Sequence, residues 1–216
     1  MKKSVTLIVL FLSCTIWGYT QSVAIGTQTW STKNLNVSTF SNGDSIFKAN
    51  TKREWEKAVS EGKPAWCYYD FKISNAAKFG KLYNWYAVND SRGLAPKGWH
   101  IPRINEIEQL IKTLGGEDVA GGKMKTTKGW VSYGFESNGD NKSKFSALPG
   151  GYFSYNNDWY FSGIKYQTMW WSASESNFEN AYSIFLASGG EGWMGNSIGI
   201  EIESKKNGKY VRCLKD

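Results

Sequence analysis

Helical spacing occurs in only two segments of this chain, and both end before residue 116. In Thr51–Glu61, Trp55, Ala58 and Val59 form an i, i+3, i+4 stripe. Thr51 and Glu54 fit a capping box there, and Gly62 and Pro64 stop the helix. In Asn105–Leu114, Ile107, Leu110, Ile111 and Leu114 repeat the pattern, with an N-x-x-E start at Asn105 and Glu108 and a Gly115-Gly116 stop. From Gly129 onward the chain is short aromatic runs cut by Gly, Asn, Asp and Ser. Earlier strand candidates are 23–30, Ala65–Tyr69 and the aromatic run Lys81–Val88. Late ones are the strictly alternating 198–203 and a final strand, Tyr210–Leu214. Two helices in the first half and many short strands in the second make an α+β fold. No repeat or linker divides residues 22–216, so one domain is expected.

Before that domain, Met1-Lys2-Lys3 is a short positive start, and Ser4–Trp17 is largely apolar but too short for a span of about 20 residues. Gly18 and Thr20 sit at −3 and −1 of a cut before Gln21, so residues 1–20 read as a secretory signal peptide. Phe11-Leu12-Ser13-Cys14 loosely resembles a lipobox, which leaves a lipid anchor at Cys14 as the alternative to free secretion. No other stretch is long and apolar enough to span a membrane. Export would lower the formal charge from +7 to +5 and leave two cysteines, Cys67 and Cys213. In an oxidising compartment such a pair is expected to form a disulfide. Closing a loop on the order of 100 residues would contribute about 4–5 kcal/mol in the chain-entropy model. Two buried free thiols are the alternative.

Composition limits the chemistry. A single His, His100, excludes a multi-histidine metal site, and three Cys cannot make a Cys-rich zinc module. His100, between Trp99 and Ile101-Pro102, reads as a hydrogen-bonded structural residue rather than a general base. Glu201 and Glu203 share one strand face, about 6–7 Å apart. They could act as an acid/base pair or hold Ca²⁺, but the solvent face of a strand accounts for them as well. The lysines are dispersed in runs of no more than two, which speaks against nucleic acid and leaves an acidic polymer as a weak preference. No catalytic residue, metal or cofactor is assigned.

Aromatics are 16 % of the chain, with 11 Trp. Trp30, Trp66, Trp85, Trp99, Trp170 and Trp171 stand among apolar neighbours and are expected in the core. Tyr152, Tyr155, Trp159, Tyr160, Tyr166 and Trp193 stand among Asn, Asp, Gly and Ser, where rigid rings beside adaptable polar groups suit a binding surface. The candidate ligand residues are Tyr155, Asn156, Asn157, Asp158, Trp159 and Tyr160, with Trp193, Met194 and Asn196. A second aromatic cluster under the loops is the plainer alternative.

Four stretches in order carry a resemblance. They are residues 25–30 with Asn34-Leu35-Asn36-Val37, Lys81–Val88, Gly93–Pro102, and Trp170–Ser174 with the ending Val211–Asp216. Together they resemble the Fibrobacter succinogenes major paralogous domain family over residues 23–216. That resemblance implies a C-type-lectin-like fold, in which late loops and strands bind ligands, and implies no known activity. Where the family has a Ser or Thr helix cap and a nearby Trp, this chain has Arg103 and Ile107, so Asn105 is expected to cap. The calcium-binding triplets of C-type lectins are absent. Cys67 and Cys213 stand too far apart to match the metal-binding Cys pair of the related sulfatase-modifying enzymes. The reading is an exported, non-catalytic binding module for a glycan or a surface protein. A structural component of a surface assembly is the alternative, and a hydrolase or modifying enzyme the lesser one.

Overall fold

The computed structural model describes residues 21–131, 138–189 and 195–216. The signal segment with Cys14, and the candidates Trp193 and Met194, lie outside the described residues. The chain begins with the hairpin β1 (Ser22–Ile25) and β2 (Gln28–Ser31), followed by β3 (Phe47–Lys48), α1 (Lys52–Ser60) and β4 (Ala65–Cys67). Then come α2 (Ala76–Phe79), β5 (Leu82–Tyr83), α3 (Trp85–Val88), β6 (Trp99–His100), α4 (Ile104–Thr113) and α5 (Glu117–Met124). The remaining strands are β7 (Gly150–Asn156), β8 (Asp158–Ile164), β9 (Gln167–Glu175), β10 (Asn180–Ala187), β11 (Ile198–Ser204) and β12 (Leu214–Lys215). This is a mixed α+β structure, mostly strands, with sheets ordered β1-β2-β12-β6, β11-β10-β9-β7-β8 and β3-β4-β5. The pairings are antiparallel except β3 with β4 and β7 with β9.

Helix α1 forms as its sequence pattern dictates. Thr51 Oγ1 accepts from Glu54 N at 3.2 Å, while Glu54 accepts from Asn50 N, and Trp55, Ala58 and Val59 are buried. Helix α4 starts two residues earlier than expected. Arg103 occupies the N-cap position, and Glu106 accepts from its backbone N–H at 2.8 Å, so Asn105 lies inside the helix. Lys81–Val88 is not one strand: the Asn84 side chain accepts from Ala87 N at 3.1 Å and starts a helical turn at Trp85. The final strand is shorter than expected. Tyr210 makes only an isolated bridge to Trp170, and β12 starts at Leu214. Helix α5 lies beyond the Gly115-Gly116 stop, where helical spacing ends, and contains Gly121-Gly122, which disfavours helix. A Cβ on Gly121 would stand 2.3 Å from Ser197 O, so close approach of α5 to the segment before β11 requires the glycine.

Strand β9 separates two apolar clusters, because consecutive side chains of a strand point to opposite faces. Trp170 packs in one cluster with Trp30, Trp55 and Ile107, and Trp171 in the other with Trp66, Trp85 and Val211. Of the six tryptophans expected in the core, five are buried and Trp99 is half-buried. The indole N–H groups of the five buried ones are satisfied, for example Trp171 Nε1 by Tyr83 O and Trp85 Nε1 by Ser172 O, both at 2.9 Å.

Cys67 and Cys213 correct the disulfide expectation: both are free, buried thiols. Cys67 packs in the Trp170 cluster and Cys213 in the Trp171 cluster. Each fills apolar space as a small hydrophobe does. Burial pushes the Cys67 thiol well above its ordinary value, and the Cys213 thiol up to about 12.

Candidate functional site

The candidate site lies on the β7–β8 hairpin, whose register pairs Phe153 with Phe161, Ser154 with Tyr160 and Tyr155 with Trp159. Asn157 turns the tip at φ 60°, a left-handed conformation that Asn tolerates. Alternation gives the hairpin two unlike faces. On one, Phe153 stacks on Phe161 with centroids 4.1 Å apart, and Trp55 meets Phe153 edge-on at 5.3 Å. Trp159 belongs to this face. It is only 5 % exposed and packs against Phe153 and Trp55, so it is a core residue that also lines the cleft beside Tyr155.

Tyr155 extends the same face past the core's edge and is 56 % exposed, with its ring 5.3 Å from that of Trp159. With Glu56, Ser60, Ser204 and Asn207 it borders an open cleft of about 380 Å³. Asn156, Asn157 and Asp158 are exposed at the tip, where Asp158 pairs with Lys52 Nζ at 2.8 Å. That contact, first a hydrogen bond, holds the Asp158 carboxyl below its usual range. The structure does not bring Asn196 here. Ser204 reaches the Tyr155 cleft, and Asn196 precedes it by the whole of β11, roughly 20 Å of extended chain. Asn196 instead packs against α5, accepting from Gly122 N at 3.0 Å through its backbone oxygen.

The opposite face of the hairpin presents Tyr152, Ser154 and Tyr160. Strand β7 meets β9 at one register pair, Gly151 with Thr168, after which the two diverge. The Gly208–Tyr210 segment fills the gap, bonded to Phe153 on one side and to Met169 and Trp171 on the other. A cleft of about 230 Å³ results, walled by Tyr152, Ser154, Tyr160, Gln167, Glu201 and Glu203, with Met169 and Phe185 as its apolar part. Glu201 and Glu203 are therefore half-buried in a walled cleft, while Ile202 between them is exposed on the other face. Sequence alternation placed the two carboxylates together; what it could not supply was the curl that folds the hairpin over them.

A fully buried ammonium accompanies this acid pair. Lys209 Nζ is 3.5 Å from Glu203 Oε2 and 3.1 Å from Met169 Sδ, between the Trp171 and Tyr152 rings. Burial lowers its pKa to about 8, against the pull of Glu203 and Glu201. Burial, then the Glu203 charge, raises the Glu201 pKa, and Lys209 opposes both. Asn207 Nδ2 donates to Glu203 at 2.7 Å. Such a cleft can offer fixed acceptors, tyrosine hydroxyls and ring faces to a polar ligand. Among the described residues, no three His, Cys, Asp or Glu side chains group so as to hold a metal ion.

His100 lies elsewhere, joining β6 to α4 and β12. Its Nδ1 is 2.7 Å from Asp216 Oδ1 and its Nε2 2.9 Å from Glu106 Oε1. Burial lowers its pKa, but the hydrogen bonds to Asp216 and Glu106 outweigh that and raise it overall. This is a clasp between elements, as expected of a structural histidine.

Early helices bracing a late curled sheet, with an aromatic and acid-lined cleft on it, define an α+β scaffold that presents a surface. The chain belongs to the Fibrobacter succinogenes major domain family, whose model matches residues 23–215. No curated protein and no solved structure matches the chain. No helix of the described residues is long and apolar enough to cross a membrane.

Proposed function

We propose that this protein is an exported, non-catalytic binding module that holds a glycan in the Tyr152–Tyr160–Glu201–Glu203 cleft, with Tyr155, Asn156, Asn157 and Asp158 offering further contacts at the hairpin tip. The observation that carries the reading is the convergence, on one rigid sheet, of two tyrosines, the Gln167 amide and two half-buried carboxylates. A neutral sugar presents hydroxyl donors to such acceptors and C–H faces to such rings. Export rests on the leader pattern of residues 1–20. A C-type-lectin-like fold belongs to the same reading, supported by helices that precede the main sheet and by β12 pairing with the early β2.

Glycan-array screening followed by calorimetry tests it. Tyr160→Ala and Glu201→Gln should each weaken the array's best ligand at least tenfold. Unchanged affinity in both would place the binding surface elsewhere.

A role in a surface assembly is the second reading, favoured by Phe178 at 92 % and Ile202 at 56 % exposure beside the edge strand β11. It predicts a defined oligomer in light scattering that Ile202→Asp dissolves.

A further inference from the structure

We propose that a second cleft, between the Thr32–Asn36 segment, α2 and the Arg212 side chain, binds the oxyanion group of an acidic saccharide. Its volume is about 520 Å³, within the range of about 300–1,000 Å³ typical of ligand sites. Thr32, Lys33, Asn34, Asn36, Lys78 and Arg212 give it three cations, and no carboxylate among the described residues lines it.

Arg212 is the unusual member, a guanidinium only 3 % exposed. Its Nε donates to Asn34 Oδ1 at 2.8 Å, and its Nη1 to Ser31 O at 2.8 Å and Phe145 O at 3.0 Å. Its Nη2 donates to Ser146 O at 3.2 Å. All four acceptors are neutral, and a guanidinium has five N–H donors, so among the described residues one Nη2 hydrogen remains uncommitted. Ser146 is itself a wall residue of the cleft, which puts Nη2 at that wall. The buried charge has no carboxylate partner among the described residues. A buried cation without a counter-charge is costly, and burial, opposed by Cys213, draws the Arg212 pKa down to about 9.

The group is also rigidly set. Its face packs on Phe145 and Trp170, at 4.7 and 5.8 Å from their centroids. Trp170 Nε1 donates to the same Asn34 oxygen, and Asn34 Nδ2 donates to Phe79 O, both at 2.8 Å. An oxyanion entering this cleft would accept from the spare Arg212 Nη2 donor and supply the counter-charge, with the exposed Lys33 and Lys78 also lining the cleft. Phe79 and Leu148 supply apolar surface for the ring that carries the anion, and Asn36, Thr32 and Thr126 can address its hydroxyls.

The test is an NMR titration of the ¹⁵N-labelled protein with sodium galacturonate, galactose and sodium sulfate at constant ionic strength. Galacturonate should shift the Arg212 Nε–H resonance saturably, with Kd of about 1 mM or tighter, and galactose should not. Sulfate moving the same resonance would support recognition of the oxyanion alone; sulfate leaving it still would support recognition of the carboxylate with its sugar ring. Lys33→Gln/Lys78→Gln changes only exposed side chains and should weaken the response at least tenfold. Tyr160→Ala, in the glycan cleft, should leave it unchanged, so failure of one site is distinguishable from failure of the other. No saturable Arg212 shift with galacturonate, an equal response to galactose, or full affinity in the double variant would each overturn the proposal.

Discussion

The two clefts differ in how each treats its buried cation. Under the proposed glycan cleft, Lys209 lies 3.5 Å from Glu203, so this buried cation has a carboxylate partner. In the second cleft, Arg212 is equally buried and faces only carbonyl and amide oxygens. The two cations stand three positions apart on one extended segment, and an odd separation there sends side chains to opposite sides. A cleft whose buried cation is already paired leaves recognition to shape and hydrogen bonding. An unbalanced one discriminates by charge. The comparison also matches side-chain chemistry: an ammonium loses its proton readily when buried, whereas a guanidinium holds its charge and suits an anion.

The largest effect that could break this comparison comes from Arg212→Met. It removes the side-chain donor from Ser31 O, Phe145 O and Ser146 O, at about 1–3 kcal/mol for each acceptor left unsatisfied, while Asn34 Oδ1 keeps its bond from Trp170 Nε1. Their sum rivals the whole stability of a small domain, about 5–15 kcal/mol. Urea denaturation should find the variant largely unfolded or barely stable. A variant of wild-type stability would mean that the guanidinium is not a structural hub. Trp159→Ala comes next, at about 3–5 kcal/mol for removing a buried indole. It should lower the denaturation midpoint strongly, since Trp159 packs on Phe153 and Trp55 beneath the glycan cleft.

Both residues mark where the sequence was legible and where it was not. Local signals succeeded where a short-range pattern decides the structure. Thr51 with Glu54 set α1, the 198–203 alternation set β11, and the family motifs placed Trp30, Trp170 and Trp171 in the core. Failures arose where a long-range contact overrode composition. Trp159 sits between Asp158 and Tyr160 and reads as a surface ring, yet the hairpin register turns it under Tyr155 and onto α1. Gly121-Gly122 reads as a break, yet α5 runs through it to let Ser197 approach. An exported chain would favour pairing Cys67 with Cys213, yet packing assigns them to separate clusters. The charged floor of each cleft had no local signature, because Lys209 and Arg212 resemble any other basic residues of a terminal strand.

A smaller effect sharpens the comparison by pH. The Lys209 ammonium titrates at about 8 in the folded protein and near 10.5 when unfolded. Below pH 8 both states hold the proton, and the folded state bears the full cost of the buried charge. Between about 8 and 10.5 the unfolded chain holds more protons, so this group's contribution to stability rises with pH. The thiols act in the opposite sense above pH 9, since burial raises Cys67 and Cys213 in the folded state. The informative quantity is therefore the stability of the wild type minus that of Lys209→Met, in which the thiols cancel. That difference should climb by about 1–3 kcal/mol from pH 7 to pH 10. A flat difference would mean that Lys209 is not held as a buried titrating cation, and the contrast with Arg212 would lapse.

The smallest stability effect belongs to Tyr160→Ala, and it separates the two faces of one hairpin. Tyr160 follows Trp159 directly and points to the other side, at 38 % exposure against 5 %. Its ring borders the glycan cleft and carries little of the core, so its removal should change stability by no more than about 0.5 kcal/mol. Parallel denaturation of the two variants should thus give a midpoint near wild type for Tyr160→Ala and a much lower one for Trp159→Ala. Glycan affinity, measured on the folded variant, should fall at least tenfold with Tyr160→Ala and less with Tyr160→Phe, which keeps the ring face and loses only the hydroxyl. Equal stability losses at 159 and 160 would show that the hairpin presents no free face, and the aromatic wall of the cleft would then belong to the core.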